Sequence, residues 1–344
     1  MLNILIDCDK PFIPKAYYVF ETFFTYYKAK IRFFYKYQDI DNNYQTLIYT
    51  NKENPLIKDN KNLVYFQSKE TLEFFNSKLK ANKKHISNLK SLKPLFYCEK
   101  GKHSEKFDII ASCFYFLSLW QEQDNYLGDK KGRFLAKDSI QYVANKIETP
   151  FVDIWFKDLA ENLSKRGIKI KKVDLLYNKK HILNLSHDID FIYENYKKLF
   201  YLTKKKVYNL IYNKKNINLP SLSSYRLLTF KQKSILDILY MHIIEKGFSS
   251  TFNIMMKYNK HDLNSIYKLC KTIDGSNCEI GIHPTMNDFT NTLNENLVEK
   301  FKKKYKVRNI YGMRIHELAF SPDELYEKLE KTNNIFYDNS MMFP

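Results

Sequence analysis

The sequence predicts an α/β protein in two parts: an N-terminal α/β domain over residues 1–178, and a second domain over 179–344 built from repeated strand–helix units. Three observations carry this expectation. In the first part, short β-branched and aromatic runs alternate with longer segments of helical periodicity. From about Lys180 the alternation becomes regular, strand then helix, which implies a parallel sheet or barrel whose strand exits gather on one face. Several strands of that second part also end abruptly on aspartate, histidine or arginine, where burial makes charge costly unless something binds it.

Leu2–Ile6 reads as the first strand, followed by Pro14 and an aromatic helix over Tyr17–Tyr27. That aromatic run has the spacing of a core-packing face, although a sugar-stacking surface would use the same residues. Ile31–Tyr35, Thr46–Tyr49 and Leu63–Phe66 read as further strands. Phe107–Gln121 is apolar nearly all round and predicts a buried helix. Asn125–Asp138, with Gly128 and Gly132, reads as a loop, and Phe151–Lys165 as an amphipathic helix stopped at Arg166-Gly167. Nothing in this first part gathers into a catalytic constellation.

In the second part, a strand at Ile182–Leu185 runs into Ser186-His187-Asp188-Ile189-Asp190. A Lys-rich insertion around Lys204–Pro220 and a long helix over Lys231–Lys246 follow. Ser249–Ile254 is the next strand, Asp262–Asp274 a helix, and Cys278–Ile282 a strand exiting into His283. Asn294–Tyr305 reads as helical and Val307–Met313 as a strand exiting into Arg314-Ile315-His316. Ser321-Pro-Asp-Glu324 is a capping box with proline at the first helical position, and Ile335–Tyr337 begins a fifth strand.

Composition narrows the class. Hydrophobic residues at 44% and aromatics at 16% are globular, not disordered. No stretch approaches the roughly 18 uninterrupted apolar residues of a membrane span, and the N-terminus lacks the basic start of a signal peptide. Five scattered cysteines without a CxxC pair argue against a disulfide framework or thiolate zinc site, so a reducing, cytoplasmic compartment is expected. The net charge of +18 is carried almost wholly by lysine, with six arginines and no recognition-helix pattern, so no specific nucleic acid is expected as partner.

The exits are where chemistry is expected. In an extended segment Asp188 and Asp190 share a face, with Ile189 turned away. Two like charges about 7 Å apart invite a cation or a shared proton. One reading is a metal ligand beside a general base; the other is a strand-to-loop turn in which one aspartate caps the next helix. His283, Arg314 and His316 at two further exits favour the first, because functional residues of β/α barrels sit there.

These residues resemble the polysaccharide deacetylase superfamily, the NodB-homology carbohydrate esterases. Ser186–Asp190 is similar to the family's first motif in its DxD form, and Gly247–Ile254 to its second strand. Glu279–His283 resembles the second motif, Gly312–His316 the arginine motif, and Tyr337–Ser340 the strand after it. Phe107–Trp120 with Gly132–Phe134 is similar to an uncharacterised domain that precedes this deacetylase domain in a bacterial subgroup. The resemblance implies a deformed (β/α) barrel of the deacetylase type and metal-dependent removal of acetyl groups from a bacterial surface polysaccharide or its precursor. It implies a divalent metal, commonly zinc, with Asp190 and His283 as ligands, Asp188 as base and Arg314 orienting Asp188.

The sequence departs from the family in two places. The second motif's later histidine is replaced by Asn287, a poorer zinc ligand, leaving His316 or His187 to supply a nitrogen. The 164 residues from His181 to Pro344 fall short of the roughly 250 of a full barrel, and end before the family's late general-acid histidine. An incomplete barrel is therefore expected, either a truncated product or one completed by a partner chain. The second function this leaves open is a catalytically impaired protein of the same fold that binds glycan or a partner without turnover.

Overall fold

The computed structural model describes residues 1–41, 43–53, 55–100, 106–123, 128–174, 183, 185–190, 248–255, 263–274, 278–290, 297–330 and 335–340. The expected Lys-rich insertion and the helix over Lys231–Lys246 lie outside the described residues. The described chain is mixed α/β with parallel sheets. It divides into two compact units, Met1–His181 with Phe343–Pro344, and Ile182–Met342. No helix among the described residues is long and apolar enough to cross a membrane.

In the first unit, β1 (Leu2–Asp7) leads into α1 (Ile13–Tyr26), then β2 (Tyr27–Lys28), β3 (Ile31–Phe34), β4 (Gln45–Thr50) and β5 (Leu63–Phe66). Strands β3, β1, β4 and β5 pair in that order, all parallel. β1 is buried from Leu2 to Ile6 because both of its faces are covered, as parallel strands require. Leu2, Ile4 and Ile6 pack in the main core with α1, while Leu5 meets Ile48, Val64 and Ile40 on the other face. The aromatic run of α1 divides as a core-facing helix should: Phe20 and Phe23 are fully buried, and Tyr18 and Tyr26 are exposed.

The unit continues through α2 (Lys69–Asn76), α3 (Lys83–Lys90), an antiparallel pair β6 (Phe96–Tyr97) and β7 (Phe107–Asp108), then α4 (Ile109–Leu117), α5 (Ile140–Val143), α6 (Phe151–Lys165) and β8 (Lys171–Lys172). The apolar stretch expected as one helix from Phe107 starts two residues later. Asp108 is the reason: its carboxylate accepts from Ala111 N at 2.9 Å and caps α4. The same buried carboxylate accepts from the Tyr49 hydroxyl, Ser68 N and the Thr71 hydroxyl at 2.8–3.1 Å. Helix α6 stops where Gly167 takes a φ of +77°, a left-handed turn that suits glycine.

In the second unit, β9 (Leu185–Ile189), β10 (Ser250–Met255), β11 (Glu279–His283), β12 (Gly312–Met313) and β13 (Tyr337–Asp338) form a parallel sheet. Each described strand lies beside its neighbour in the chain. Helices α7 (Leu263–Asp274), α8 (Met286–Thr290), α9 (Leu297–Tyr305) and α10 (Pro322–Glu330) fall between or after them. Leu269 and Ile273 of α7, Phe301 and Tyr305 of α9 and Leu325 of α10 share one core with Phe252, Ile254, Ile280, Ile282 and Met313. The helices therefore cover one face of the sheet.

The strand expected over Val307–Met313 is shorter than its apolar content suggested, with pairing confined to Gly312–Met313. Lys306 takes a left-handed φ of 55°, and Val307 and Ile310 instead bury their side chains as anchors of an irregular link from α9. Apolar residues here serve the core without joining the ladder.

Candidate metal centre

The register of the second sheet decides which residues can meet. Asp188 pairs with Asn253, Asn253 with Gly281, and Ile282 with Met313, which brings His283 level with Arg314. Because side chains alternate along a strand, Ser186, Asp188, Asn253, Gly281, His283 and Arg314 share the face opposite the helix-packed core. One face of the sheet is apolar and the other is polar.

At the strand exits on the polar face three donor atoms converge. His283 Nε2 lies 3.1 Å from Asp190 Oδ1 and 3.2 Å from His316 Nδ1, and the last pair, His316 Nδ1 and Asp190 Oδ1, is 3.5 Å apart. Donors around a tetrahedral zinc with bonds of about 2.0–2.1 Å stand roughly 3.3 Å from one another. The three atoms thus already have the spacing of one triangular face of such a site. Asp190 Oδ1 is buried and accepts no hydrogen bond among the described residues, an orphan that a cation would satisfy.

The protonation of His283 follows from its other nitrogen. Nδ1 sits 2.6 Å from the backbone oxygen of Arg314, which can only accept, so Nδ1 carries the hydrogen and Nε2 presents a lone pair. His283 is only 2% exposed, so its ring is fixed by packing as well. His316 is placed by its own backbone, whose N–H donates to Pro284 O at 2.8 Å. These donors (one carboxylate oxygen and two imidazole nitrogens) form a ligand set that zinc accepts.

Arg314 ties this cluster to Asp188. Its Nη1 donates to Asp188 Oδ1 at 3.2 Å, Nη2 to the Ser186 hydroxyl at 2.9 Å, and Nε to Asn339 O at 3.2 Å. The planar fork is thereby held at all three nitrogens, which lysine could not reproduce. Asn253, fully buried on β10, donates from Nδ2 to the same Asp188 oxygen at 3.1 Å. Asp188 is therefore gripped at Oδ1 from two sides while a third of its side chain remains exposed.

The sheet leaves room for this arrangement through glycine. A Cβ on Gly281 would stand 2.3 Å from Asn253 Oδ1 and 3.2 Å from Gly312 O. Gly281→Ala is expected to displace Asn253 from Asp188 and to cost about 1–3 kcal/mol, by the penalty for overpacking a core. A urea or thermal unfolding curve checks this. A loss of stability with zinc content unchanged is the expected pattern. Below the site, the Tyr337 ring lies across Gly312 and its hydroxyl donates to Glu279 at 2.6 Å. Burial, then that hydrogen bond, pushes the Tyr337 hydroxyl up to about 12.

Of the residues expected at a site, Asp188, Asp190, His283, Arg314 and His316 come together. His187 does not: its ring lies tilted 5.0 Å from Phe252 on the apolar face, as its place between Ser186 and Asp188 dictates. Asn287 is exposed on α8 and outside the cluster, while its neighbour Asp288 is occupied by Thr285. Asn253 was not singled out by sequence reasoning. An asparagine between the apolar Phe252 and Ile254 was the available signal.

Residues 4–168 match the model of a family of unknown function (DUF7033), which covers most of the first unit and none of the second. No curated protein and no solved structure matches the chain.

Proposed function

We propose that the chain is a metal-dependent hydrolase of the polysaccharide deacetylase type, removing acetyl groups from the nitrogen of an amino-sugar polymer or its precursor. The observation that carries this reading is the convergence of Asp190 Oδ1, His283 Nε2 and His316 Nδ1 beside an arginine-held carboxylate. The sequential strand order, with helices on one face and polar residues on the other, is also what part of a (β/α) barrel would have.

Asp190, His283 and His316 would hold a divalent ion, zinc by their chemistry. When bound, such an ion polarises an acetyl carbonyl and acidifies a water. Asp188, outside the triangle of Asp190, His283 and His316, would serve as the general base. Arg314 and Asn253 both donate to Asp188 Oδ1, which holds that carboxylate in place. His316 fills the role that Asn287 leaves vacant, so this departure from the family does not remove the third ligand.

The test is acetate release from N-acetylglucosamine oligomers and from an N-acetylated surface polysaccharide by zinc-loaded protein. Acetate in proportion to protein and time is the expected result. Stoichiometric zinc with no acetate from any acetylated glycan would sink the hydrolase and leave a binding protein of the same fold.

A further inference from the structure

His316 is followed by two residues in the left-handed region, Glu317 (φ 59°, ψ 5°) and Leu318 (φ 54°). Neither is glycine, and side chains with a Cβ rarely take this conformation. Such outliers persist only where surrounding structure enforces them, and they gather at functional sites. Here the turn is fastened at His316 N to Pro284 O, at 2.8 Å, and at Leu318 N to Ile315 O, at 3.1 Å.

The turn has a consequence for the neighbouring imidazole. It sets the Glu317 carboxylate behind the preceding imidazole, with Oε1 4.0 Å from His316 Nε2, an ion-pair distance rather than a hydrogen bond. The opposite nitrogen, Nδ1, faces His283 Nε2 and Asp190 Oδ1. A carboxylate beside Nε2 favours the tautomer that carries its hydrogen there, which leaves Nδ1 with a bare lone pair. The other tautomer could satisfy His283 with a hydrogen on Nδ1, but it would turn the Nε2 lone pair toward a negative charge.

We propose that Glu317 is a positioning residue of the metal centre, held in a strained backbone conformation so that its carboxylate fixes His316 as an Nδ1 donor. The proposal rests on the reading of Asp190, His283 and His316 as metal ligands. It gives that strain a purpose: a glycine would make the turn more easily and could not orient the ring.

The experiment is zinc competition against a chromophoric chelator, on the full chain and its Glu317→Gly, Glu317→Gln and His316→Ala variants, with metal-free melting temperatures alongside. Glu317→Gly is expected to bind zinc about 10–100-fold more weakly, the range for loss of a partner behind a metal-bound histidine. Its metal-free melting temperature should not fall, because glycine takes the left-handed conformation without steric cost. Glu317→Gln keeps an acceptor oxygen and should lose less than the glycine variant. His316→Ala should lose more than either. Equal affinity in the unaltered protein and Glu317→Gly, with His316→Ala impaired, overturns the role of Glu317 and leaves the centre standing. A melting temperature that drops with the affinity marks general loosening and overturns it too. Zinc bound by none of the four overturns both the role and the centre.

Discussion

Asp188→Asn is expected to bind zinc as the unaltered protein does and to release acetate about 10²–10⁴-fold more slowly, the usual contribution of a positioned general base. Asparagine is nearly isosteric and keeps an oxygen for Arg314 Nη1 and Asn253 Nδ2, which meet Asp188 Oδ1 at 3.2 and 3.1 Å. The scaffold around the residue therefore stays, and what goes is a basic oxygen. Zinc content and acetate rate measured on the same preparation separate the outcomes. A variant that keeps both its zinc and its rate removes Asp188 from the chemistry. One that loses its zinc would place Asp188 among the ligands.

The largest effect on stability is expected at Asp108. Four donors point at its buried carboxylate: Tyr49 OH, Ser68 N, Thr71 OH and Ala111 N. Asp108→Ala leaves all four without this acceptor, and each unmet buried donor costs about 1–3 kcal/mol. The sum, about 4–12 kcal/mol, is comparable with the whole stability of a typical domain. A urea midpoint shift of the full chain checks this; an unchanged midpoint would contradict it.

The same carboxylate gives the stability a pH dependence. Burial pushes Asp108 up to about 6 from an ordinary 3.8, with hydrogen bonds from Ala111 and Ser68 pulling in the other direction. The folded chain therefore holds this proton more tightly than the unfolded chain. The contribution is fully present below about pH 4 and is lost as the pH rises through about 6, an effect of roughly 3 kcal/mol. Asp108→Asn, which cannot titrate, should lose this component of the difference between urea midpoints at pH 5 and pH 7.5.

The legible part of the site was legible for a physical reason. Asp188, Asp190, His283 and Arg314 stand at the ends of apolar strands, where charge is costly without a purpose, and parallel strands bring such ends together. The alternation of β9 also contained the answer for His187, since a residue between two others that share a face must point to the opposite one. Asn287 drew attention through the spacing of a motif, yet α8 turns it to solvent.

What sequence reasoning missed depends on neighbours that are distant in the chain. Asn253 matters because register sets it between Asp188 and Gly281, and register is invisible until strands are paired. Glu317 matters because of a backbone conformation that its side chain does not announce. Asp108 is hidden at the start of an apolar run, and its donors come from β4, the segment after β5, and α2. The link at Val307–Tyr311 shows the opposite error, apolar anchoring read as a strand.

The metal centre is tested most directly by zinc content after loading and removal of excess, for the unaltered protein beside Asp190→Ala. About one zinc per chain is expected, lost in the variant, because three convergent donor atoms with one orphaned carboxylate oxygen would make a single site. If both proteins retain the same zinc, or neither retains any, then Asp190, His283 and His316 are not a metal centre and the proposed hydrolysis loses its basis.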